Sequence, residues 1–193
     1  MEYIQVTREN IESEHICCAI SNNKDVQVSS KKAWMEKCFD DGLTFIKSAE
    51  RGKCFIEYIP AEKKPFLSDP KHLAYKGFKV ADVSDAGINL MYLPFDEKAE
   101  VPQFKECAKH PHVDEMGYVL YYTNQCPFNG KYVPILEKTA NDNGILFKAI
   151  KIESKEQAQS VPSPCTSYAL FKDGEFLTNE QQNDKKFLKL VQS

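Results

Sequence analysis

The stretch YYTNQCPFNGKYVPIL, residues 121–136, decides how the second half of the chain folds. An apolar run ends at Asn124, and an amphipathic pattern follows that predicts a helix from about Pro127 to Asn141. Proline fits the first turn of a helix, where its missing N–H leaves no bond unmade. Cys126 would then stand directly before a helix, where exposed N–H groups and the helix dipole stabilise a thiolate. The pattern makes Cys126 a candidate catalytic thiol, and the alternative is a small apolar residue.

The residues around this stretch predict a small sheet. Apolar strands are expected at YVLYYTN (118–124) and ILFKAIKI (145–152), with a short helix at SKEQAQ (154–159). The segment TSYALFKDGEFLT (166–178) predicts a hairpin that turns at Asp173 and Gly174. A last helix is expected to begin at Thr178, because Gln181 three residues later completes a capping box. The first connection is a helical crossover, so the first two strands should be parallel.

Helices and strands alternate less regularly in the first half of the chain. A strand YIQV (3–6) and a helix capped by Thr7 are followed by a second helix, KKAWMEKCFDD (31–41). Ser29 or Ser30 is its expected cap, and Gly42 should end it. The segment 43–60 predicts a hairpin with Gly52 in its turn, and a short helix should precede KGFKVADV (76–83). The next strand stops at Pro94, and residues 96–117 form a polar connector with room for one helical turn.

The second half resembles the thioredoxin superfamily. QCPFNGKYVPIL (125–136) is similar to the active-site helix of that fold, and SPCTSYALFKDGEF (163–176) is similar to its later hairpin. The resemblance implies a proline before the hairpin, commonly cis, for which Pro164 is the candidate. Asn129 stands where the family has its resolving cysteine. A C-x-x-N site closes no internal disulfide, so Cys126 could form only mixed disulfides.

The first half resembles GNAT-type N-acetyltransferases through GLTFIKSAERGKCFIEYIP (42–60) and YKGFKVADVSDAGINLMYLPF (75–95). A GNAT domain followed by a thioredoxin-like module is similar to the YoaP-like family, and that resemblance covers nearly the whole chain. It implies acyl transfer from acetyl-CoA to an amine of unknown identity. GNAT domains hold the pyrophosphate with a Q/R-x-x-G-x-G/A loop at a helix N-terminus, where N–H groups point at the anion.

That loop, its strand and its helix are missing between Glu62 and Lys63, and no two of the eight glycines are spaced G-x-G. Leu73 stands at the place of the family's frequent general-acid tyrosine, and Tyr75 lies two residues further on. No cofactor-binding residue and no catalytic residue is therefore assigned in the first half. Acetyl-CoA is expected from the family resemblance alone.

These patterns predict an α/β protein whose N-terminal part is α+β. We expect an incomplete GNAT-like domain at 1–94, a linker at 95–116 and a thioredoxin-like domain at 117–193. Besides acyl transfer, two functions stay open: a non-catalytic protein that binds partners through the thioredoxin-like module, and a monothiol redox protein that uses Cys126. Loss of a central strand would leave exposed strand edges, which favour pairing with a second copy of the chain.

Charge and cysteine usage narrow the class of protein. The net charge of −3 provides no basic surface for nucleic acid, and no run approaches 18 apolar residues. The start of the chain lacks a secretion signal, so a cytoplasmic protein is expected. None of the seven cysteines forms a C-x-x-C pair, and free thiols are expected.

Three weaker patterns contain residue types that can bind metal or act in catalysis. Cys107, His110 and His112 are three candidate zinc ligands where a structural site needs four, so no metal is expected. His15 and Cys18 share a predicted helical face, which core packing explains. Glu57 would be a general base only if its strand faced a cleft, and strand alternation explains it more simply.

Overall fold

The structure is a computed structural model that describes residues 5–11, 25–42, 45–46, 54–62, 69–94, 96 and 98–192. It is a mixed α/β protein with separate sheets of two, three and four strands in these ranges. Across the same ranges no helix combines the length and apolar character needed to span a bilayer.

The first sheet and the first helix share a core. Strand β1 (Gln5–Val6) pairs antiparallel with β2 (Phe45–Ile46), and helix α1 runs over Asp25–Asp40. Val6, Ile11 and Met35 are buried together, and Trp34 and Phe39 pack against them. The predicted helix after Thr7 falls largely outside the described residues, as do His15 and Cys18.

The start of α1 differs from the prediction. Ser29 and Ser30 lie inside the helix, which begins at Asp25, so neither serine caps it. A serine can be accommodated in a helix when neighbouring apolar residues, here Val28, pack into a core. The end of the helix is as predicted: Gly42 has a positive φ of 77°, and its N–H donates to the Phe39 carbonyl.

The second sheet contains β3 (Cys54–Pro60), β4 (Lys79–Ser84) and β5 (Ile88–Pro94) in the order β3-β5-β4, all antiparallel. Helix α2 (Pro70–Tyr75) is the short helix expected before β4, and Asp69 caps it by accepting the N–H of Lys71 at 2.9 Å. The turn predicted at Gly52 lies outside the described residues. In the described part of the chain, the two strands predicted to form that hairpin have other partners: β2 pairs with β1, and β3 pairs with β5.

The polar connector packs against the second sheet. It contains one helical turn, α3 (Glu106–Lys109), as expected. The Asp82 carboxylate accepts from the Phe104 N–H at 3.1 Å and from Lys109 Nζ at 2.9 Å. The hydrogen bond from Lys109 lowers the pKa of Asp82. Ser84 Oγ donates to the Ala108 carbonyl at 2.7 Å, so the connector is held at several points along its length.

The third sheet has the order β7-β6-β8-β9. Its elements run as follows along the chain: β6 (Tyr118–Tyr122), α4 (Asn129–Asp142), β7 (Phe147–Lys151), α5 (Lys155–Ser160), β8 (Tyr168–Lys172), β9 (Glu175–Thr178) and α6 (Asp184–Val191). Strands β6 and β7 are parallel, as the helical crossover predicted, and β8 is antiparallel to both of its neighbours, β6 and β9.

The turn between β8 and β9 and the start of α6 can be compared with the sequence predictions. The hairpin turns at Asp173 and Gly174, which have φ of 50° and 91°, so that prediction is confirmed. The predicted cap of the last helix is wrong, because Thr178 ends β9 and α6 begins at Asp184. Asn183 caps α6 by accepting the N–H of Lys186 at 2.9 Å. A capping box is a weak signal where the same residues also extend a strand.

Helices cover one face of the third sheet. Eight buried residues form the core between the sheet and helices α4 and α6: Tyr118, Leu120, Val133, Leu136, Ala140, Tyr168, Leu170 and Phe187. Helix α1 from the first half also packs on α4. The approach is close at Gly130, because a Cβ on that residue would collide with the side chain of Ser30.

Candidate functional site

Cys126 lies in the loop between β6 and α4. The regular helix begins at Asn129, two residues after the predicted start, and Phe128 occupies the cap position. Cys126 is half-buried, and its carbonyl accepts the N–H of Asn129 at 3.1 Å. The thiol residue therefore precedes the helix by a short turn instead of capping it. Its assignment as a reactive thiol stays a prediction.

Asn129 is the best connected side chain near the thiol. It is fully buried, and its Nδ2 donates to the carbonyls of Thr123 at 2.8 Å and Ser167 at 2.7 Å. Its Oδ1 accepts from Gln181 Nε2 at 3.1 Å. One amide thus joins the loop after β6, the loop before β8 and the loop before α6.

The sequence pattern did not predict this role of Asn129, because it marks the residue only as a replacement for a cysteine. The available signal was an asparagine in the first turn of a helix, where this residue type tends to use its side chain to hydrogen-bond nearby backbone groups. A cysteine could not make the same three hydrogen bonds, because its thiol is only a weak donor and acceptor.

The loop before β8 carries Pro164 and Cys165. Every described peptide bond is trans, so the expectation of a cis proline at Pro164 is wrong. The Ser163 hydroxyl accepts the N–H of Cys165 at 3.0 Å and shapes this loop locally. Burial raises the pKa of Cys165 to about 11, although a hydrogen bond from Asn179 partly opposes the increase. Cys165 is thus a protonated thiol at neutral pH.

A cleft opens between α1 and the carboxyl ends of β6 and β7, and we call it the α1 cleft. Its volume is about 330 Å³. It is lined by Ala33, Trp34, Lys37, Cys38, Asp41, Thr123, Asn124, Gln125, Lys151, Ile152, Glu153, Ser154, Lys155, Ala158 and Thr166. Ligands of open α/β sheets bind at this end of parallel strands, so the α1 cleft is the candidate binding site.

The walls of the α1 cleft are fixed by backbone hydrogen bonds. The Ile152 N–H donates to the Tyr122 carbonyl at 2.8 Å, and the Thr123 N–H donates to the Ser167 carbonyl at 3.2 Å. Ser154 caps α5 by accepting the N–H of Gln157 at 3.2 Å. The loops that line the cleft are therefore extensions of the sheet.

Charges of both signs face the α1 cleft. Lys151 Nζ lies 3.1 Å from Glu153 Oε1, and this hydrogen bond is the main reason that the pKa of Glu153 is lowered. The ammonium of Lys37, on α1, lowers it further. Burial raises the pKa of Cys38, and the carboxylate of Asp41 adds to the increase. Cys38 thus contributes a neutral thiol to the cleft wall.

The weaker candidates lie elsewhere. His110 Nδ1 is 2.7 Å from Asp85 Oδ2, and His112 Nδ1 is 3.4 Å from Glu175 Oε1. The two histidines therefore have separate carboxylate partners. In the described part of the chain, no three His, Cys, Asp or Glu side chains are grouped to hold a metal ion. Glu57 is exposed on β3 and does not line the α1 cleft.

Comparison with known proteins gives two matches. A family model described as YoaP-like matches residues 147–189. A protein of Bacillus subtilis (strain 168), named "Uncharacterized N-acetyltransferase YoaP", is 31% identical over 247 residues, which cover 99% of this chain and 98% of that protein. No solved structure matches the chain.

The lengths in this alignment are informative. The alignment has 247 positions and the chain has 193 residues, so at least 54 positions hold no residue of this chain. The relative therefore contains additional sequence within the aligned region. That this sequence corresponds to the segment expected to be missing between Glu62 and Lys63 stays a prediction. Because the similarity extends over nearly the full length of both proteins, the chain belongs to the YoaP-like N-acetyltransferase family.

Proposed function

We propose that the chain transfers an acetyl group from acetyl-CoA to an amine. The observation that carries this proposal is the similarity over 99% of the chain to a relative named as an N-acetyltransferase. The acceptor amine is not identified by that name. The proposal includes the finer fold assignment of an incomplete GNAT-like domain followed by a thioredoxin-like domain.

The fold assignment is supported by element order. Residues 118–191 run β-α-β-α-β-β-α, with the first two strands parallel and the last two in a hairpin. The thioredoxin resemblance implies this order. In the first half, the antiparallel strands β3, β4 and β5 and the helix before β4 agree with the GNAT resemblance.

The residues present do not fit the phosphates of acetyl-CoA. The sequence has no G-x-G pair, and the glycines described in the first half serve other purposes. Gly42 ends α1, Gly77 follows α2 and Gly87 lies in the turn between β4 and β5. None of these three belongs to a loop that leads into a helix and offers N–H groups to an anion. We therefore assign no residue to the transfer step.

Thermal unfolding tests the proposal. A ligand at one hundred times its Kd stabilises a protein by about 2.7 kcal/mol, so acetyl-CoA at millimolar concentration should raise the melting temperature. Acetylated pantetheine, which lacks the nucleotide, is the matched control ligand. Because this chain lacks the pyrophosphate loop, the two ligands should bind within about tenfold of each other. Absence of a shift with acetyl-CoA would refute the proposal.

A second candidate is a non-catalytic binding protein, and the α1 cleft is the observation that favours it. The cleft is lined by residues from both halves of the chain, whereas the acetyl-CoA loop is absent from the sequence. Loss of acetyl-CoA binding together with retention of a ligand or partner protein would support this candidate. Light scattering would test the related expectation that exposed strand edges pair with a second copy.

The monothiol redox function stays a third candidate. It requires that Cys126 be alkylated with a midpoint below about pH 8.5, the value of an ordinary thiol. Asn129 in place of a second cysteine supports mixed disulfides over an internal one. Mass spectrometry after treatment with oxidised glutathione measures whether Cys126 forms such an adduct.

A further inference from the structure

The volume of the α1 cleft limits the size of the ligand that it can bind. A volume of about 330 Å³ is near the lower end of the roughly 300–1,000 Å³ that is usual for ligand sites. A nucleotide cofactor would exceed it, whereas a compound the size of an amino acid fits. The cleft is thus suited to a small metabolite.

The wall of the α1 cleft is suited to an apolar group. Trp34, Cys38 and Ile152 line it together with Ala33 and Ala158. Cys38 and Ile152 are buried, and Trp34 also packs against the core beneath α1. Apolar surface that a ligand removes from water at such a wall stabilises the complex by about 25 cal/mol per Å².

The charges at the α1 cleft disfavour ligands that carry a charge of only one sign. Lys37 and Lys155 favour a carboxylate, whereas Asp41 and Glu153 favour an ammonium group. A ligand with only one charge would be attracted by the residues of opposite sign and repelled by those of like sign. Lys151 offsets part of the charge of Glu153 through their 3.1 Å contact. A ligand that carries both charges beside an apolar group is complementary to all of these residues.

We propose that the α1 cleft binds a free amino acid with an apolar side chain, held by Lys37 and Lys155 at its carboxylate and by Asp41 and Glu153 at its ammonium group. Binding at this site does not require acetyl-CoA. The amino group would also make the ligand an acceptor for acetyl transfer, a role that rests on the proposed function.

The only tryptophan of the chain reports occupancy of the site. Trp34 lines the α1 cleft, so a ligand that enters should change its emission. L-phenylalanine is a suitable probe, because it does not absorb at the excitation wavelength of tryptophan. The matched probes are 3-phenylpropanoate, which lacks the amine, and 2-phenylethylamine, which lacks the carboxylate. We expect saturable binding of L-phenylalanine and binding at least about tenfold weaker for each analogue.

Two double variants test the lysines and the carboxylates of the α1 cleft separately. Lys37→Gln with Lys155→Gln should weaken L-phenylalanine at least about tenfold and leave 2-phenylethylamine unchanged or improved. Asp41→Asn with Glu153→Gln should weaken L-phenylalanine similarly and leave 3-phenylpropanoate unchanged or improved. Lys138→Gln on the exposed surface of α4 is the control and should change nothing. The substituted side chains are exposed, so the variants should fold, which circular dichroism verifies.

The inference is overturned if L-phenylalanine gives no saturable change, or if it binds no better than its two analogues. It is also overturned if neither double variant weakens L-phenylalanine relative to Lys138→Gln. All of these measurements are made without acetyl-CoA. These measurements therefore test the amino-acid site alone. The proposed transferase function is tested separately, by the melting experiment with acetyl-CoA.

Discussion

At the scale of single residues, Asn129 is the group on which the loop around the thiol depends. Its side chain makes three hydrogen bonds while being inaccessible to water. Replacing it by alanine would remove one hydrogen bond from each of the Thr123 and Ser167 carbonyls and a third from Gln181, and the loss of hydrogen bonds at a buried site is destabilising. We expect Asn129→Ala to lower the free energy of unfolding by about 2–4 kcal/mol, measured by urea denaturation.

Asn141→Ala on the same helix is the matched control, because Asn141 is exposed. Alanine has the higher helix propensity, so stability should change by no more than about 0.5 kcal/mol. Equal effects of the two substitutions would show that the amide of Asn129 does not hold the three loops together.

Cys165 gives a second prediction at this scale. Burial of the thiol raises its pKa from an ordinary value of 9.0 to about 11. At pH 8 it should therefore contain about one hundredth of the thiolate of an ordinary cysteine, and the thiolate is the reactive form. We expect iodoacetamide to modify Cys165 about 100-fold more slowly than an unstructured cysteine peptide, as measured by digestion and mass spectrometry.

The same shift has a consequence for stability above pH 9. The folded state retains the thiol proton that the unfolded state releases between about pH 9 and pH 11, so stability is lost as the pH rises through this range. Cys165→Ala, which cannot ionise, should show a smaller loss between these values. Identical pH profiles for the two proteins would contradict the assigned pKa.

At the scale of secondary structure, the turn between β8 and β9 has a strict conformational requirement. Gly174 has φ of 91°, and a Cβ there would lie 2.7 Å from His112 Cε1 and 2.9 Å from the Val113 carbonyl oxygen. Gly174→Ala should therefore lower the free energy of unfolding by about 2–4 kcal/mol, from backbone strain and collision together. Thermal or urea unfolding measures the change.

Gly144, which follows α4, separates these two contributions. Its φ is 64°, but a Cβ there would meet nothing within 4 Å. Gly144→Ala should cost about 1 kcal/mol, the conformational part alone. A loss for Gly174→Ala no larger than that for Gly144→Ala would show that the connector yields easily at His112 and Val113.

The elements that the sequence predicted well are those with local determinants. The β8–β9 turn follows from Asp173 and Gly174, and the end of α1 follows from Gly42, because in both cases the backbone needs a positive φ. The parallel pairing of β6 and β7 follows from the helix between them. These features depend on a few adjacent residues and on chain connectivity.

The features that the sequence analysis missed depend on tertiary contacts. Asn129 is hydrogen-bonded to Ser167 and Gln181, which lie 38 and 52 positions further along the chain. Its role therefore could not be predicted from neighbouring residues. Helix α1 begins before Ser29 because its apolar side chains pack into a core that includes β1. The α1 cleft combines positions from 33 to 166, so it is defined only once the two halves are in contact.

At the scale of the whole molecule, contact between the halves depends on the absence of a side chain at Gly130. Helix α1 belongs to the first half and α4 to the second, and a Cβ on Gly130 would collide with both Oγ and Cβ of Ser30. Because α1 also forms one wall of the cleft, this contact connects the packing of the two halves to the candidate binding site. A substitution at Gly130 should therefore change a site that it does not line.

We expect Gly130→Ala to displace α1 from α4, to shift the emission of Trp34 to longer wavelength and to weaken L-phenylalanine binding at least about tenfold. Ser30→Gly removes both atoms that the new Cβ would meet, so the double variant Ser30→Gly, Gly130→Ala should recover most of the emission and binding of the parent chain. Ser30→Gly alone should cost about 0.5 kcal/mol through helix propensity and leave the cleft intact. If Gly130→Ala alters Trp34 but the second substitution does not restore it, the alanine acts within α4 and not through the contact between the halves. Recovery in the double variant would instead show that the cleft exists because two helices from different halves of the chain can approach at a glycine.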